Sequence, residues 1–406
     1  MRRASSGMFA VFVGFGLTRA LVGCSRQVVE PIVRDTLQSS GGNEAGQGGE
    51  TSLGGQPTSG GTSSGGTGAE AGTTEGGSSS GGTSEGGGVA QGGTLASGGA
   101  SPASGGSGGA FVAPDPCPNV LVGWGTYLDG ISGGSAGKTV RVTTAADFKT
   151  YATQTAPVVI QVAARIMLTE RIRPASDKTI VGVVDGAGFA AEGLYLVGVH
   201  NVIIQNLTMT NEGTEGDVIT IQASQHVWVD HCDISNSYDD LIDVVHGSDF
   251  VTLSWNRLHD NKNATVIGHT DDDEALKEDP GHLTVTLHHN WFSAIPGSTP
   301  RVRFGRVHLF NNYFQDVATL AVSSTMGADV VVERNKFLRV PTPLVTHFVD
   351  KADGRATETD NLYEDSGTPT IGTPAVWKPS DSYSYKLDPV ADVPPLLLAC
   401  AGSGKL

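Results

Sequence analysis

The chain has 406 residues, a formal net charge of −16, 56 glycines and four cysteines. Such a charge excludes a nucleic-acid backbone as a partner, and it opposes any other acidic polymer unless a bound cation or a local basic stripe intervenes. The glycines are concentrated ahead of residue 113, so the chain divides into a tether-like front and a globular remainder long enough for one large core.

Residues 1–24 carry Arg2 and Arg3, an apolar run from Met8 to Leu17, and then Leu21-Val22-Gly23-Cys24. The order charged, apolar, small, Cys resembles a bacterial lipoprotein signal, with Cys24 as the lipidated residue. Ser25 in place of Asp after that cysteine resembles an outer-membrane address. The localisation expected from this segment is a secreted or cell-surface lipoprotein of the outer membrane of a Gram-negative bacterium, touching membrane only through its lipid anchor. Residues 25–113 are mostly Gly, Ser and Thr and cannot bury enough apolar surface to offset their ordering entropy, so they are expected to form a disordered linker. A flexible tether of that kind has a reach of about 50 Å.

The domain expected over 114–406 is organised by a repeat. Between Val202 and Phe337 one phrase recurs six times, at Val202 (VIIQNLTM), Val227 (VWVDHCDI), Val251 (VTLSWNRL), Val285 (VTLHHNWF), Val307 (VHLFNNYF) and Val330 (VVVERNKF). Counting from each Val, position five is Leu207, Cys232, Asn256, Asn290, Asn312 and Asn335, and position seven is apolar in every copy. Successive starts lie 25, 24, 34, 22 and 23 residues apart, a period suited to stacked coils of short strands that bury their apolar faces only against each other. An antiparallel sandwich explains the alternation but not the recurring Asn, whose amide suits a tight bend where it bonds the next coil. The fold expected is all-β, a parallel β-helix solenoid. Cys232 falls at the inward bend and is expected to be a buried thiol, leaving Cys117 and Cys400 at opposite ends of the domain either free or joined as a staple.

Two charged features stand on neighbouring coils. Glu215, Asp217, Asp239, Asp240 and Asp243 span about one coil length, so they are able to converge as hard oxygen ligands of the kind Ca²⁺ takes. The alternative is a solvated acidic turn, the reading given to the DDDE run at 271–274. Downstream, Arg301 and Arg303 alternate with Val302 and Phe304, which puts both guanidiniums on one strand face, as a carboxylate clamp or as partners of an Asp on the next coil. His231, His288 and His289 lie inside repeats and are read as structural, since no pair has zinc-ligand spacing.

Taken together, GGSAGKTVRVTTAADFKTYA at 133–152, KTIVGV at 178–183, VIIQNL, VWVDHCDIS, GSDFVTLSWNRLHD at 247–260, LTVTLHHN and PRVRFGRVHLFNNYF resemble, in order, the landmarks of the pectate lyase family of polysaccharide lyases. The resemblance implies a right-handed parallel β-helix with a short N-terminal capping helix, at Ala145 to Thr153, acting as a monomer on polygalacturonate by Ca²⁺-dependent β-elimination. It further implies Asp217 as the primary calcium ligand, Glu215 as an accessory one, and a later pair spaced four apart, which selects Asp239 and Asp243 over Asp240. Asp230 is structural in that family, and the resemblance makes Arg303 a catalytic as well as a substrate-binding residue, hydrogen-bonded to the substrate region where charge develops. Pectin lyases, which act on methylated substrate, lack this acidic set.

Two departures stand out. The family's catalytic Arg lies five residues before the position of Arg303, which here is Ser298, a poor proton acceptor without an adjacent base. Its substrate-binding Lys falls at Asn263, with Lys262 one residue earlier. Three functions follow: an active lyase whose base is another group such as Arg301 or Lys262, an impaired homologue that binds acidic polysaccharide through calcium, and a β-helix hydrolase with paired Asp residues.

Overall fold

The structure, a computed structural model, describes residues 111–115 and 117–406. The expected signal segment with Cys24, and the expected linker up to residue 110, lie outside the described residues. The described chain winds into a parallel β-helix with a ten-stranded, a nine-stranded and a seven-stranded sheet, to which successive coils add one rung each. One coil runs His200–Gln205, Thr208–Asn211, Ile219–Gln222 and then returns to Gln225–Asp230 beside its start.

The repeat read from sequence is the register of the ten-stranded sheet. Val202, Val227, Val251, Val285, Val307 and Val330 are successive partners along it. The same column continues through Lys178, Val158 and Lys138 at one end and Ala356 at the other. Lys178 holds a valine's place by burying its stem and donating from Nζ to the carbonyls of Ala156 at 3.0 Å and Ser176 at 2.6 Å.

Each bend out of this sheet places position four in the left-handed region, with φ of 56° at Asn206, 48° at His231, 54° at Trp255, 54° at His289, 52° at Asn311 and 49° at Arg334. Left-handed backbone costs a residue with a Cβ about 1 kcal/mol, and position five offsets it. The Asn256 backbone N–H and side-chain amide both donate to Asn290 Oδ1 at 3.0 Å, Asn290 does the same to Asn312, Asn312 to Asn335, and Asn335 to Asn361. At position seven Phe292, Phe314, Phe337 and Tyr363 stack inside the coil with centroids 4.8, 4.7 and 5.1 Å apart.

The expected capping helix is present as Ala145–Thr153; Thr144 Oγ1 accepts from Asp147 N at 3.1 Å, and Phe148 seals the first coil against Phe189. The tail beyond Lys351, which the repeat does not reach, adds one more rung, Arg355–Thr359 and Leu362–Glu364, before crossing the outer face of the ten-stranded sheet. It ends in the helix Val393–Cys400, and Cys400 is joined to Cys117 by a disulfide. Closing so long a loop stabilises the fold by roughly 5 kcal/mol in the chain-entropy picture. Cys232 is fully buried as expected, and burial pushes its thiol up to about 12.

Candidate active site

The charged residues gather on the outer face of the seven-stranded sheet. In the strand Ile242–Val245, Ile242 and Val244 enter the core and Asp243 points out. Thr220, Asp243, Val266 and Arg301 are successive partners across that face. Just before each strand the alternation breaks, because two consecutive residues are buried: Val218 and Ile219, Leu241 and Ile242, Ala264 and Thr265, Thr299 and Pro300. Each break moves the preceding residue to the outer face. A second row therefore runs beside the first, through Asp217, Asp240, Asn263 and Ser298, each three residues ahead of its neighbour in the first row. Backbone bonds from Val218 N to Asp240 O at 3.3 Å, from Leu241 N to Ala264 O at 3.1 Å and from Ala264 N to Ser298 O at 3.3 Å hold the turns in this stack.

Carboxylate oxygens of Asp217, Asp240 and Asp243 lie within 4.8 Å of one another. Asp217 accepts from Thr220 Oγ1 at 2.6 Å and Asp240 N at 3.2 Å, and Asp243 accepts from Val266 N at 3.2 Å. Asp240 Oδ1 is buried with no partner. Burial pushes the Asp217 carboxyl upward, and pushes Asp240 up to about 6, with the charges of Asp239 and Asp217 adding and Asn263 and Lys262 opposing. Asp243 is driven well above the usual carboxylate range by burial and then by Asp217 and Asp240. Three acids in mutual repulsion, one with an idle oxygen, form a donor set made only of hard oxygens, the kind that Ca²⁺ takes.

The structure gathers Asp240, rather than the expected Asp239, with Asp217 and Asp243. Strict alternation back from Asp243 reaches Asp239, but the paired burial of Leu241 and Ile242 shifts the parity by one, leaving Asp239 exposed and bringing Asp240 into the cluster. Glu215 is exposed and also stands outside it.

Arg301 and Arg303 do share one face, as their alternation implied, but their clamp is already filled. Asp350 Oδ1 accepts from Arg301 Nη2 at 2.5 Å and Arg303 Nε at 2.9 Å, and Asp350 Oδ2 accepts from Thr325 Oγ1 at 2.6 Å. These partners hold the Asp350 carboxyl below its usual range in spite of burial, which pushes it up. Arg303 also donates to the carbonyls of Gly268 and His269 and is 5% exposed, so it acts as a brace. Arg301, half-buried, keeps guanidinium N–H groups free of this pair. Nothing in the sequence pointed to Asp350, which lies in the loop after Thr342–Val345.

Ser298 is half-buried at the end of the second row, and its hydroxyl makes no hydrogen bond among the described residues. Lys262 is exposed on the adjoining coil; its carbonyl accepts from Gly297 N at 2.7 Å, and its ammonium is unpaired among the described residues. It lines an open groove of about 800 Å³ with Glu212, Asn236, Tyr238, Asp260 and Pro296.

A family model described as pectate lyase matches residues 94–406. The chain belongs to the pectate lyase family. Among its curated relatives, pectate lyase plyB of Emericella nidulans is 38% identical over 237 residues, 56% of this chain and 71% of that protein. Pectate lyase B of Colletotrichum gloeosporioides is 36% identical over 285 residues, 68% and 84% of the two chains. Among solved structures, the pectate lyase Bsp165PelA from Bacillus sp. N165, in complex with trigalacturonate, has a TM-score of 0.62 at 24% identity, covering 70% of this chain and 99% of that one. Pectate lyase II of Xanthomonas campestris has a TM-score of 0.58 at 24% identity, covering 70% and 99%. These two likenesses show the fold.

As a member of this family the protein is a polysaccharide lyase acting on pectate, which sets the hydrolase alternative aside. The curated relatives named here are fungal, and the expectation of a Gram-negative outer-membrane lipoprotein conflicts with that kinship. That localisation is withdrawn; Cys24, on which it stood, lies outside the described residues.

Proposed function

We propose that this pectate lyase acts on polygalacturonate by calcium-dependent β-elimination, with Asp217, Asp240 and Asp243 holding the ion. The observation that carries the reading is the three-carboxylate cluster with its idle Asp240 oxygen, two rungs from Arg301 on one open face. When bound there, calcium supplies positive charge that lowers the cost of charge building on the uronate carboxylate. Arg301 donates its free N–H groups to the same carboxylate region. A base takes the proton from the carbon bearing the carboxylate, a carbon–carbon double bond forms, and the glycosidic oxygen on the neighbouring carbon leaves with the bonding electron pair and takes a proton from water.

Of the two basic side chains left for proton abstraction, Arg301 is ion-paired with Asp350, whereas Lys262 is exposed, unpaired among the described residues and next to the Ser298 turn. Lys262 in its neutral form is the base in this reading. The competing reading, an impaired homologue, is favoured by one observation: the row Asp217, Asp240, Asn263, Ser298 contains no basic group.

The full-length protein with polygalacturonate and calcium at mildly alkaline pH distinguishes them, by following the near-ultraviolet absorbance of unsaturated uronides. Growth that a chelator abolishes, and that Lys262→Ala reduces about a hundredfold while Lys262→Arg retains more, supports the lyase with Lys262 as base. No growth despite calcium-dependent polymer binding establishes the impaired homologue, and activity gained by Ser298→Arg then locates the defect.

A further inference from the structure

The face that carries the acidic cluster continues upstream to a second charged feature that the reaction above does not use. In the strand Leu194–Val197, Leu194 and Leu196 enter the core and Tyr195 points out, as the register partner of Thr220. Ile172 bridges to Leu194, so Arg171 and Arg173, on either side of it, also face outward. Their guanidinium carbons lie 4.7 and 4.8 Å from the Tyr195 ring centroid. The ring is anchored at its edge by a hydrogen bond from its hydroxyl to Gln222.

Two like charges on one ring are costly to hold together, and ordinarily a carboxylate relieves them. The arginines that do form ion pairs among the described residues are Arg257, Arg301, Arg303, Arg334 and Arg339; Arg171 and Arg173 are not among them, in a chain of net charge −16. Arg171 spends one N–H on Thr220 Oγ1 at 2.6 Å, and its Nε is buried without a partner. Arg173 is exposed and makes no hydrogen bond among the described residues. Arg171 thus feels the Asp217 carboxylate through Thr220, whereas Arg173 has no carboxylate partner among the described residues, and its guanidinium, held against the ring, is preorganised to donate to an anion.

Its position defines which anion. Tyr195 is two rungs from Asp243 on one side, and Arg301 is two rungs from Asp243 on the other. With about 4.8 Å per rung, the strands that carry Tyr195 and Arg301 lie roughly 10 Å to either side of the one that carries Asp243. A polymer with one carboxylate on each sugar and its reacting unit at the cluster presents further carboxylates along that line.

We propose that Arg171 and Arg173, stacked on Tyr195, form a carboxylate-binding subsite for a uronate unit remote from the bond that is cleaved. The inference rests on the reading of polygalacturonate as substrate. It makes this lyase sensitive to chain length, because only a polymer long enough to reach Tyr195 gains the added ion pairs.

Arg173 is the clean probe, since Arg171 touches Thr220 and through it Asp217. Full-length wild type, Arg173→Gln and Arg173→Glu are titrated calorimetrically with trigalacturonate and with a long oligogalacturonate in the presence of calcium, and KM and kcat are measured for both. Arg173→Glu is expected to weaken long-chain binding and raise its KM about tenfold, with Arg173→Gln intermediate. Trimer affinity and kcat stay within about twofold of wild type. Equal losses on trimer and long chain, or long-chain affinity unchanged in Arg173→Glu, overturn the subsite. Should the wild type bind polymer without turning it over, the lyase reading fails while the affinity comparison still decides the subsite; should it bind no polyuronate at all, both fail.

Discussion

Two outer faces of the β-helix are rich in ionisable side chains, and they differ in whether the acids meet histidines or one another. On the ten-stranded sheet, Asp230 accepts from Gln205 at 2.9 Å and Ser254 at 2.6 Å, and lies 2.7 Å from His231 Nδ1. His308 sits between the Tyr383 hydroxyl at 2.9 Å and Glu333 at 3.0 Å, and His289 Nε2 meets Asp388 at 2.9 Å. The tail covers His289 and His308, Asn119 of the N-terminal segment meets Gln205 beside Asp230, and the Cys117–Cys400 disulfide joins these two segments. On the seven-stranded sheet Asp217 and Asp240, both buried, and half-buried Asp243 crowd together with no ion pair among the described residues. Buried polar atoms without a partner occur on both faces, Nε2 of His231 and His288 on the first and Oδ1 of Asp240 on the second, so charge or an idle atom is by itself no mark of function; acids stacked on acids are what call for a cation.

The largest effect expected from this contrast is at the open face. Asp217→Ala and Asp243→Asn each lower lyase activity by about a hundredfold or more and remove the rise in Tm that calcium produces in the wild type. Asp230→Asn, in the closed network, lowers Tm by roughly 5 °C but leaves the calcium-induced rise and the activity of the folded enzyme intact. Calorimetric melts with calcium or chelator, paired with rate measurements, test both arms, and loss of the calcium shift in Asp230→Asn erases the distinction.

A smaller effect follows from protons on the covered face. Burial pulls His288, His289 and His308 below the usual imidazole value, with Asp388 opposing it at His289 and Glu333 at His308. A folded-state value below the unfolded one means the unfolded chain binds protons first. The stability these groups contribute is complete above about pH 6.5 and is lost as pH falls below it. Asp388, held down by His289, adds a second loss once the acid range of carboxylates is reached. Tm is expected to decline below about pH 6.5, and His288→Gln, which removes the imidazole without a carboxylate partner, flattens that decline. An unchanged slope in the variant shows that the acid sensitivity arises elsewhere.

The contrast also separates what was legible in the sequence. The ladder was readable because Val, Asn and aromatic positions index each coil, and they mark the bends as well as the strands. Rungs at Lys178 and Ala356 escaped because a lysine with its charge tied to carbonyls, or a plain alanine, carries no such signature. The capping helix was placed correctly from the resemblance. Asp350 was invisible, since its pairing with Arg301 and Arg303 depends on where a loop late in the chain crosses the sheet end. The exchange of Asp239 for Asp240 has a local cause that the sequence does contain: an apolar pair ahead of each strand, Val218-Ile219 and Leu241-Ile242, signals a parity shift once strand starts are known.

That exchange sets the smallest effect expected and the finest test of the open face. Asp239 and Glu215 are exposed, so water and salt screen their charges, and each is expected to change activity and the calcium shift by less than about threefold when replaced by Ala. Asp240→Ala removes an oxygen donor from the buried cluster and is expected to behave like Asp217→Ala. Spacing along the chain ranks Asp239 above Asp240, and side-chain parity ranks them the other way. Calcium titrations of the two alanine variants decide between these rankings: a heavier loss in Asp239→Ala means that the turn rearranges around the ion, and that burial of Leu241 and Ile242 does not set which carboxylate the metal meets.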